Sequence, residues 1–236
     1  MSTTPQAEDL DDARGVAAVV FDVNETLFPL TPVRDRMAGV GLGPQRLEPW
    51  FRAVLVDGMA AAVTDSLVPF AELARHHLEV ELAQAGLPQE DATVEGILAG
   101  FDEVVPHPDV LPALEALGAV EVEVALFTNG SARIAEGFLE RAGLGDLVHH
   151  VWDVQAIGRW KPHPDAYRWV VAQLDADPDE VAMVAVHPWD VHGAVAAGLR
   201  GVWVDRDARG HYPPGFHRPH HTVVALPELV ERLGLH

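Results

Sequence analysis

Residues 15–21 read GVAAVVF, an apolar run without alternation that stops at Asp22. A run of this kind predicts a strand buried on both faces, as in a parallel sheet. Three more follow at residues 122–127 (VEVALF), 181–186 (VAMVAV) and 201–204 (GVWV), and residues 147–154 (LVHHVWDV) predict a fifth, weaker strand. Helical patterns fill the intervals. Residues 131–142 open at Ser131, a capping residue type, and close at Gly143. Residues 164–174 carry Asp165 in their first turn, and residues 191–197 are small and Ala-rich. This alternation predicts a doubly wound, Rossmann-like α/β fold with a parallel sheet. In such folds the polar residues just past the carboxyl ends of the strands line one crevice. Here these are Asp22, Asn24, Thr26, Thr128, Asn129, His187 and Asp190.

Residues 31–106 break the alternation. Residues 46–63, 69–85 and 91–101 have helical spacing with no strand pattern between them, which predicts a helical insert lying over the crevice. The expected division is a flexible tail at 1–14, a core from 15–30 and 107–236, and a helical domain at 31–106. Residues 210–221 (GHYPPGFHRPHH) hold four His, but nothing sets a ligand spacing, and a solvated loop is expected.

Composition narrows the function. The 236 residues include no Cys, which excludes disulfides, zinc–thiolate sites and a cysteine nucleophile. A formal charge of −20 excludes a basic face for nucleic acid. The uncharged stretches are too short for a membrane span. Residues 1–14 lack the basic start and apolar run of a secretory leader, so a cytoplasmic protein is expected. The expected partner is a small anionic substrate, with a homodimer as the possible assembly.

Of the 16 basic residues, 15 are Arg and one is Lys, at Lys161. In a chain that uses Arg so consistently, a lone Lys marks a place for a compact ammonium, or else chance. Asp22 ends its strand and begins D-V-N-E-T-L. Such an Asp caps the following turn, or it is a nucleophilic carboxylate held among backbone N–H groups, with Thr26 placed to reach back to it.

Four blocks, taken in order, resemble the haloacid dehalogenase superfamily: residues 21–27 (FDVNETL), Thr128-Asn129-Gly130, Lys161-Pro162, and Trp189-Asp190 after an apolar strand. The insert is similar to the family's cap domain, and the resemblance covers nearly the whole chain from about residue 16. It explains Lys161, since the family's third motif is a Lys. Phosphatases of the superfamily carry a second Asp two residues after the nucleophile, to protonate the leaving alkoxide. This chain has Asn24 there, and an amide is no general acid, whereas a halide leaves without a proton. The fourth motif holds one acid, Asp190, fewer than Mg²⁺ favours. Both features, with Trp189-Asp190 and the Lys161-to-Tyr167 spacing, resemble the metal-free L-2-haloacid dehalogenase branch.

The resemblance implies a hydrolase of small 2-haloacids, without cofactor. Asp22 attacks the α-carbon and expels halide, and water then hydrolyses the ester. Lys161 balances Asp22, Asp190 orients Lys161 or the water, and Thr128 with the Asn129 N–H holds the substrate carboxylate. Arg52, in Trp50-Phe51-Arg52, is the candidate halide cradle, or else a surface Arg. The branch carries an aromatic at the position of Asn24, and a Ser and an Asn at those of Ala185 and His187. Asn24 makes the pocket more polar. His187, beside Trp189, is either a water-activating base or a structural imidazole bonded to Asp190. The alternatives are a Mg²⁺-dependent phosphatase of the same fold and a non-catalytic protein that binds a small anion.

Overall fold

Ala18, Val19, Val20 and Phe21 form the first strand, β1 (Ala18–Phe21), and are at most 1% exposed, so β1 must lie between other layers. A computed structural model describes residues 15–208 and 210–236, and the tail expected at 1–14 lies outside them. The other strands are β2 (Glu123–Thr128), β3 (His150–Asp153), β4 (Val181–Ala185), β5 (Arg200–Val204) and β6 (His221–Val223). They form one sheet in the order β3-β2-β1-β4-β5-β6, parallel throughout. Phe21 stands in register with Leu126 on one side and Val184 on the other. The strand order reverses at β1, and that is where an α/β sheet opens its crevice. Thr128 ends β2, and Asp22 and His187 follow β1 and β4, at the same end of the sheet.

Strands β1 to β5 fall where the apolar runs predict them. β3 is half-buried throughout, as its mixed composition suggests, and occupies an edge. β6 adds the other edge, and its first residue, His221, pairs with Val202. The loop expected at 210–221 therefore ends one residue early.

Between β1 and β2 the chain is helical: α1 (Thr31–Gly39), α2 (Leu47–Val63), α3 (Phe70–Gln84) and α4 (Asp91–Leu98), followed by α5 (Val110–Gly118) at the sheet. The apolar face of α2 holds Trp50, Phe51, Val54, Gly58 and Ala62. The indole of Trp50 donates to the Ala74 carbonyl of α3 at 3.0 Å. Trp160, which precedes Lys161, ties these helices to the core: its ring stacks on Phe70 at 6.2 Å and its indole N–H donates to the Val68 carbonyl at 2.9 Å. Gly58 makes room for that ring, because any Cβ there would collide with it.

The remaining helices are α6 (Ala132–Ala142), α7 (Pro164–Gln173), α8 (Pro188–Ala196) and α9 (Leu229–Arg232). Gly143 ends α6 in the left-handed conformation, as expected. The expected cap at its other end is different. Ser131 makes no side-chain bond, and Asp153 at the end of β3 accepts from the Ala132 N–H at 2.9 Å instead.

Candidate active site

Asp22, Asn24, Thr26, Thr128, Asn129, Lys161 and Asp190 are all buried, a concentration of polar side chains that requires partners for each. Asp22 is the hub. Lys161 Nζ donates to Asp22 Oδ1 at 2.9 Å, to Asp190 Oδ2 at 2.6 Å and to the Phe127 carbonyl at 2.8 Å. An ammonium has three N–H donors, so all are used. The Lys161 main chain is fixed as well: its N–H donates to Asn129 Oδ1 at 2.8 Å and its carbonyl accepts from Asn129 Nδ2 at 3.1 Å. The Asn129 side chain is therefore a clamp on Lys161. Tyr167 donates to Asp190 Oδ1 at 2.7 Å, which places Asp190 as the orienter of Lys161. α7 carries Tyr167 against α8, and Gly193 permits the approach, since a Cβ there would stand 2.6 Å from the Tyr167 hydroxyl.

The second oxygen, Asp22 Oδ2, accepts from Thr26 Oγ1 at 2.8 Å and bonds His187 Nδ1 at 2.9 Å. Thr26 also accepts from the Val186 N–H at 3.2 Å, joining the first and fourth strand tips. The other ring nitrogen, His187 Nε2, bonds Glu25 Oε2 at 3.0 Å. Both carboxylates only accept, so His187 carries two N–H groups and a positive charge. It does not bond Asp190, as one expectation held, and a doubly protonated ring has no lone pair with which to activate water. Phe51 approaches the His187 ring at 6.3 Å, and Trp189 stacks on it at 5.1 Å.

These contacts set the charges. Burial opposes ionisation of Asp22, but Lys161 and His187 outweigh it and hold the carboxyl well below the usual range. Burial likewise opposes charge on His187, yet the bonds to Asp22 and Glu25 push its pKa up to about 10. Burial acts against Lys161 too, and Asp190 with Asp22 raises its pKa nonetheless. Burial raises Asp190, against the pull of Lys161. Tyr167 is raised well above its ordinary value by burial and by Asp190, and stays a neutral donor.

Of the predicted residues, Asp22, Thr26, Lys161, Asp190 and His187 form one bonded cluster, with Trp189 against it. Thr128 and Asn24 stand at its edge, where both crowd the space that a Cβ on Gly130 would fill. Thr128 Oγ1 accepts from the Gly130 N–H at 2.8 Å. Arg52 is exposed and lies apart, at the rim of a cavity of about 440 Å³ that Glu25, Phe51, His187 and Trp189 also line. One step along α2, Phe51 faces the site instead, because adjacent helical residues diverge by about 100°. Glu25 is the residue that sequence reasoning missed. Its signal was its place between Asn24 and Thr26, and its backbone adopts a left-handed φ of 62°. Among the described residues no group of three or more His, Asp or Glu stands ready to hold a metal ion, and no helix is long and apolar enough to cross a membrane.

A family model for haloacid dehalogenase-like hydrolases matches residues 16–198. The (S)-2-haloacid dehalogenase of Xanthobacter autotrophicus is 29% identical over 186 residues, which are 78% of this chain and 73% of that protein. (S)-2-Haloacid dehalogenase 1 of Pseudomonas sp. (strain CBS-3) is 26% identical over 223 residues, 92% of this chain and 98% of the relative. The structure of L-2-haloacid dehalogenase from Xanthobacter autotrophicus with chloropropionic acid covalently bound matches with a TM-score of 0.82 and 26% identity, covering 92% of this chain and 97% of that one. The match spans β1 through α8 and includes every member of the Asp22 cluster, and on that basis the chain belongs to the haloacid dehalogenase-like hydrolase family.

Proposed function

We propose that the protein hydrolyses the carbon–halogen bond of small 2-haloacids through an ester on Asp22, without a metal ion, with helices α1–α4 as the cap over the site. The observation that carries this reading is the state of Asp22. It is a buried carboxylate kept ionised by two cations, and its two oxygens are unequally engaged. A carboxylate oxygen has two in-plane lone pairs. Thr26 and His187 take both on Oδ2, while Lys161 takes one on Oδ1 and leaves the other for attack. Oδ1 displaces halide from the α-carbon, and the halide departs with the bonding pair. Asn24, two residues after Asp22, supplies no proton to a departing alkoxide, and both N–H groups of His187 are bonded to carboxylates. That supports a halide leaving group over a phosphate ester.

The donor set also supports a reaction without Mg²⁺. Such an ion needs carboxylate oxygens around it. Those of Asp22 are engaged by Lys161, Thr26 and His187, and those of Asp190 by Lys161 and Tyr167. For the substrate carboxylate, the Thr128 hydroxyl and the Asn129 N–H remain the proposed anchors. Arg52 is the rim cation proposed to meet the incoming anion or the released halide.

The test is halide release from 2-chloropropionate with and without EDTA, beside phosphate release from a generic phosphomonoester with Mg²⁺. Chelator-resistant halide release is expected, and single turnover in heavy-oxygen water should label Asp22. Mg²⁺-dependent phosphate release without halide release would replace this reading with the phosphatase one.

A further inference from the structure

We infer that His187, held by Glu25, is the oxyanion donor for the second half of the reaction: it stabilises the charge that develops on Asp22 Oδ2 when water attacks the ester. This rests on the dehalogenase reading above and assigns a role within it to two residues.

The argument starts from the two oxygens. If Oδ1 makes the bond to substrate, Oδ2 becomes the ester carbonyl oxygen. Water then adds to Asp22 Cγ, and the carbonyl π pair moves onto Oδ2. When that pair returns, the Cγ–Oδ1 bond breaks. Oδ1 departs on the 2-hydroxy acid and takes one proton from the attacking water. The second proton is released to solvent, and Asp22 is again a carboxylate with one oxygen from water. The sum is haloacid plus water giving hydroxy acid, halide and a proton. In this half-reaction Oδ2 carries the negative charge of the tetrahedral intermediate.

Two donors already point at that atom, Thr26 Oγ1 at 2.8 Å and His187 Nδ1 at 2.9 Å. Their distances fit an oxyanion hole, where donors preset at about 2.7–3.1 Å act without reorganising. One of the pair is a cation, which strengthens the bond as charge builds. The imidazolium is held in place on every side. Glu25 takes the opposite N–H at 3.0 Å, Phe51 approaches one part of the ring, and Trp189 stacks on it. Glu25 does this from a left-handed backbone, φ 62°, a conformation that costs a non-glycine residue energy and recurs at functional sites. A Gly there would adopt the turn freely but could not reach His187. Glu25 is thus a positioning residue, and His187 touches the reacting group.

The experiment compares wild type with His187→Phe, His187→Asn and Glu25→Gln by rapid-quench halide release from 2-chloropropionate, with intact-protein mass spectrometry of the reacting enzyme. His187→Phe keeps a ring beside Phe51 and Trp189 and removes both N–H groups. It should release about one halide per enzyme in a burst and then turn over roughly a hundredfold or more slower than wild type, with the ester accumulating on Asp22. His187→Asn places an amide N–H near the Nδ1 position and should recover about a tenth or more of that loss in rate. It also serves as the test variant if His187→Phe melts early. Glu25→Gln should fall between, with kcat reduced and the burst retained. A His187→Phe enzyme that slows the burst itself, with no adduct, would move His187 to the first half-reaction and overturn the proposal, as would turnover within about threefold of wild type. Wild type that releases no halide would overturn the dehalogenase reading, a failure visible before any variant is compared.

Discussion

The two oxygens of Asp22 face two different kinds of structure. On the Oδ1 side Lys161, Asp190 and Tyr167 are sealed from solvent, and their side chains are bonded to one another and to Asp22 at 2.6–2.9 Å. On the Oδ2 side the bonded series runs outward, from buried Thr26 through His187, whose side chain is 14% exposed, to Glu25 at 39%. The first side fixes the charge and position of Asp22, the proposed nucleophile. The second reaches the cavity, where charge must be handled as the reaction proceeds. Burial makes the inner side costly to disturb, because a charge stripped of its partner there cannot be rescued by water. At its outer end, Glu25 can be lost to solvent at small cost in stability and a larger one in rate. The two sides should therefore separate under mutation into stability-dominated and rate-dominated phenotypes.

The largest effect belongs to Lys161. Lys161→Met leaves Asp190 buried with no counter-ion and Asp22 with His187 alone, and breaking such a buried pair costs about 3–5 kcal/mol. For a chain of this size that lowers Tm by roughly 10 °C or more, and halide release should be lost. Lys161→Arg keeps a charge but brings a wider, bidentate group to an oxygen that must stay open on one side. Turnover should fall about a hundredfold or more, measured on protein whose melt shows it folded. An Arg variant retaining more than about a tenth of wild-type rate would mean that the inner side needs only charge.

Tyr167→Phe comes next. It removes the hydroxyl that donates to Asp190 Oδ1 at 2.7 Å, leaving that buried acceptor short of a donor. The expected cost is about 1–3 kcal/mol of stability, read by thermal or urea melt. A smaller loss of rate should follow as Lys161 loses its orienter. A variant as stable as wild type would show that water enters this side, contrary to its sealed packing.

How far each side could be read in advance follows from the same difference. Asp22, Thr26 and Asp190 follow closely on strand tips, and the apolar runs that bury the strands also reveal their ends, while Lys161 stood out as the one Lys among 16 basic residues. The paired state of His187 was out of reach. It depends on Asp22 from β1 and Glu25 from the turn after it meeting a ring that follows β4, and no local spacing encodes that. Glu25 reads as an ordinary polar turn residue until its left-handed backbone aims it. Helix phase turns Phe51 to the inward face of α2 and leaves Arg52 at the cavity rim, a distinction that residue type alone does not make. In the fold, α5 was not predicted, although Val110, Ala113, Leu114 and Leu117 have the helical period. β6, with three residues, carries too little pattern to find. Asp153 could not be foreseen as the cap of α6, because it comes from the neighbouring strand and Ser131 offered a local choice that the chain does not use.

The outer side should declare itself in pH dependence. His187 is raised from 6.5 to about 10 in the folded protein. Its contribution to stability is therefore full below about pH 6.5 and is lost as pH rises through about 10. Asp22, depressed from 3.8, acts in the opposite sense: its contribution is present above that value and is lost as pH falls through the folded pKa. Between pH 6.5 and 9 the Tm of wild type should drop relative to that of His187→Gln, by an amount on the order of 5 °C. Parallel Tm curves for the two proteins across that window would mean that His187 is neutral, and its bonds to two carboxylates would then need another source of protons.

The smallest effect on stability, and the cleanest separation of the two sides, is expected at Glu25. Glu25→Gly removes a partly exposed ion pair with His187, a class of interaction worth about 0–1 kcal/mol. It also relieves a non-glycine residue of φ 62°, a gain of about 1 kcal/mol in the favourable case. The extra freedom of glycine in the unfolded chain takes back part of that gain. These terms nearly cancel, so Tm should stay within about 3 °C of wild type. The rate should not stay level, because His187 loses the carboxylate that fixes its ring and its second proton. A variant as stable as wild type but several-fold slower in kcat would place Glu25 among the residues that this fold spends on chemistry. Equal rates with raised stability would make Glu25 a strained surface residue, and the outer side of Asp22 would then end at His187.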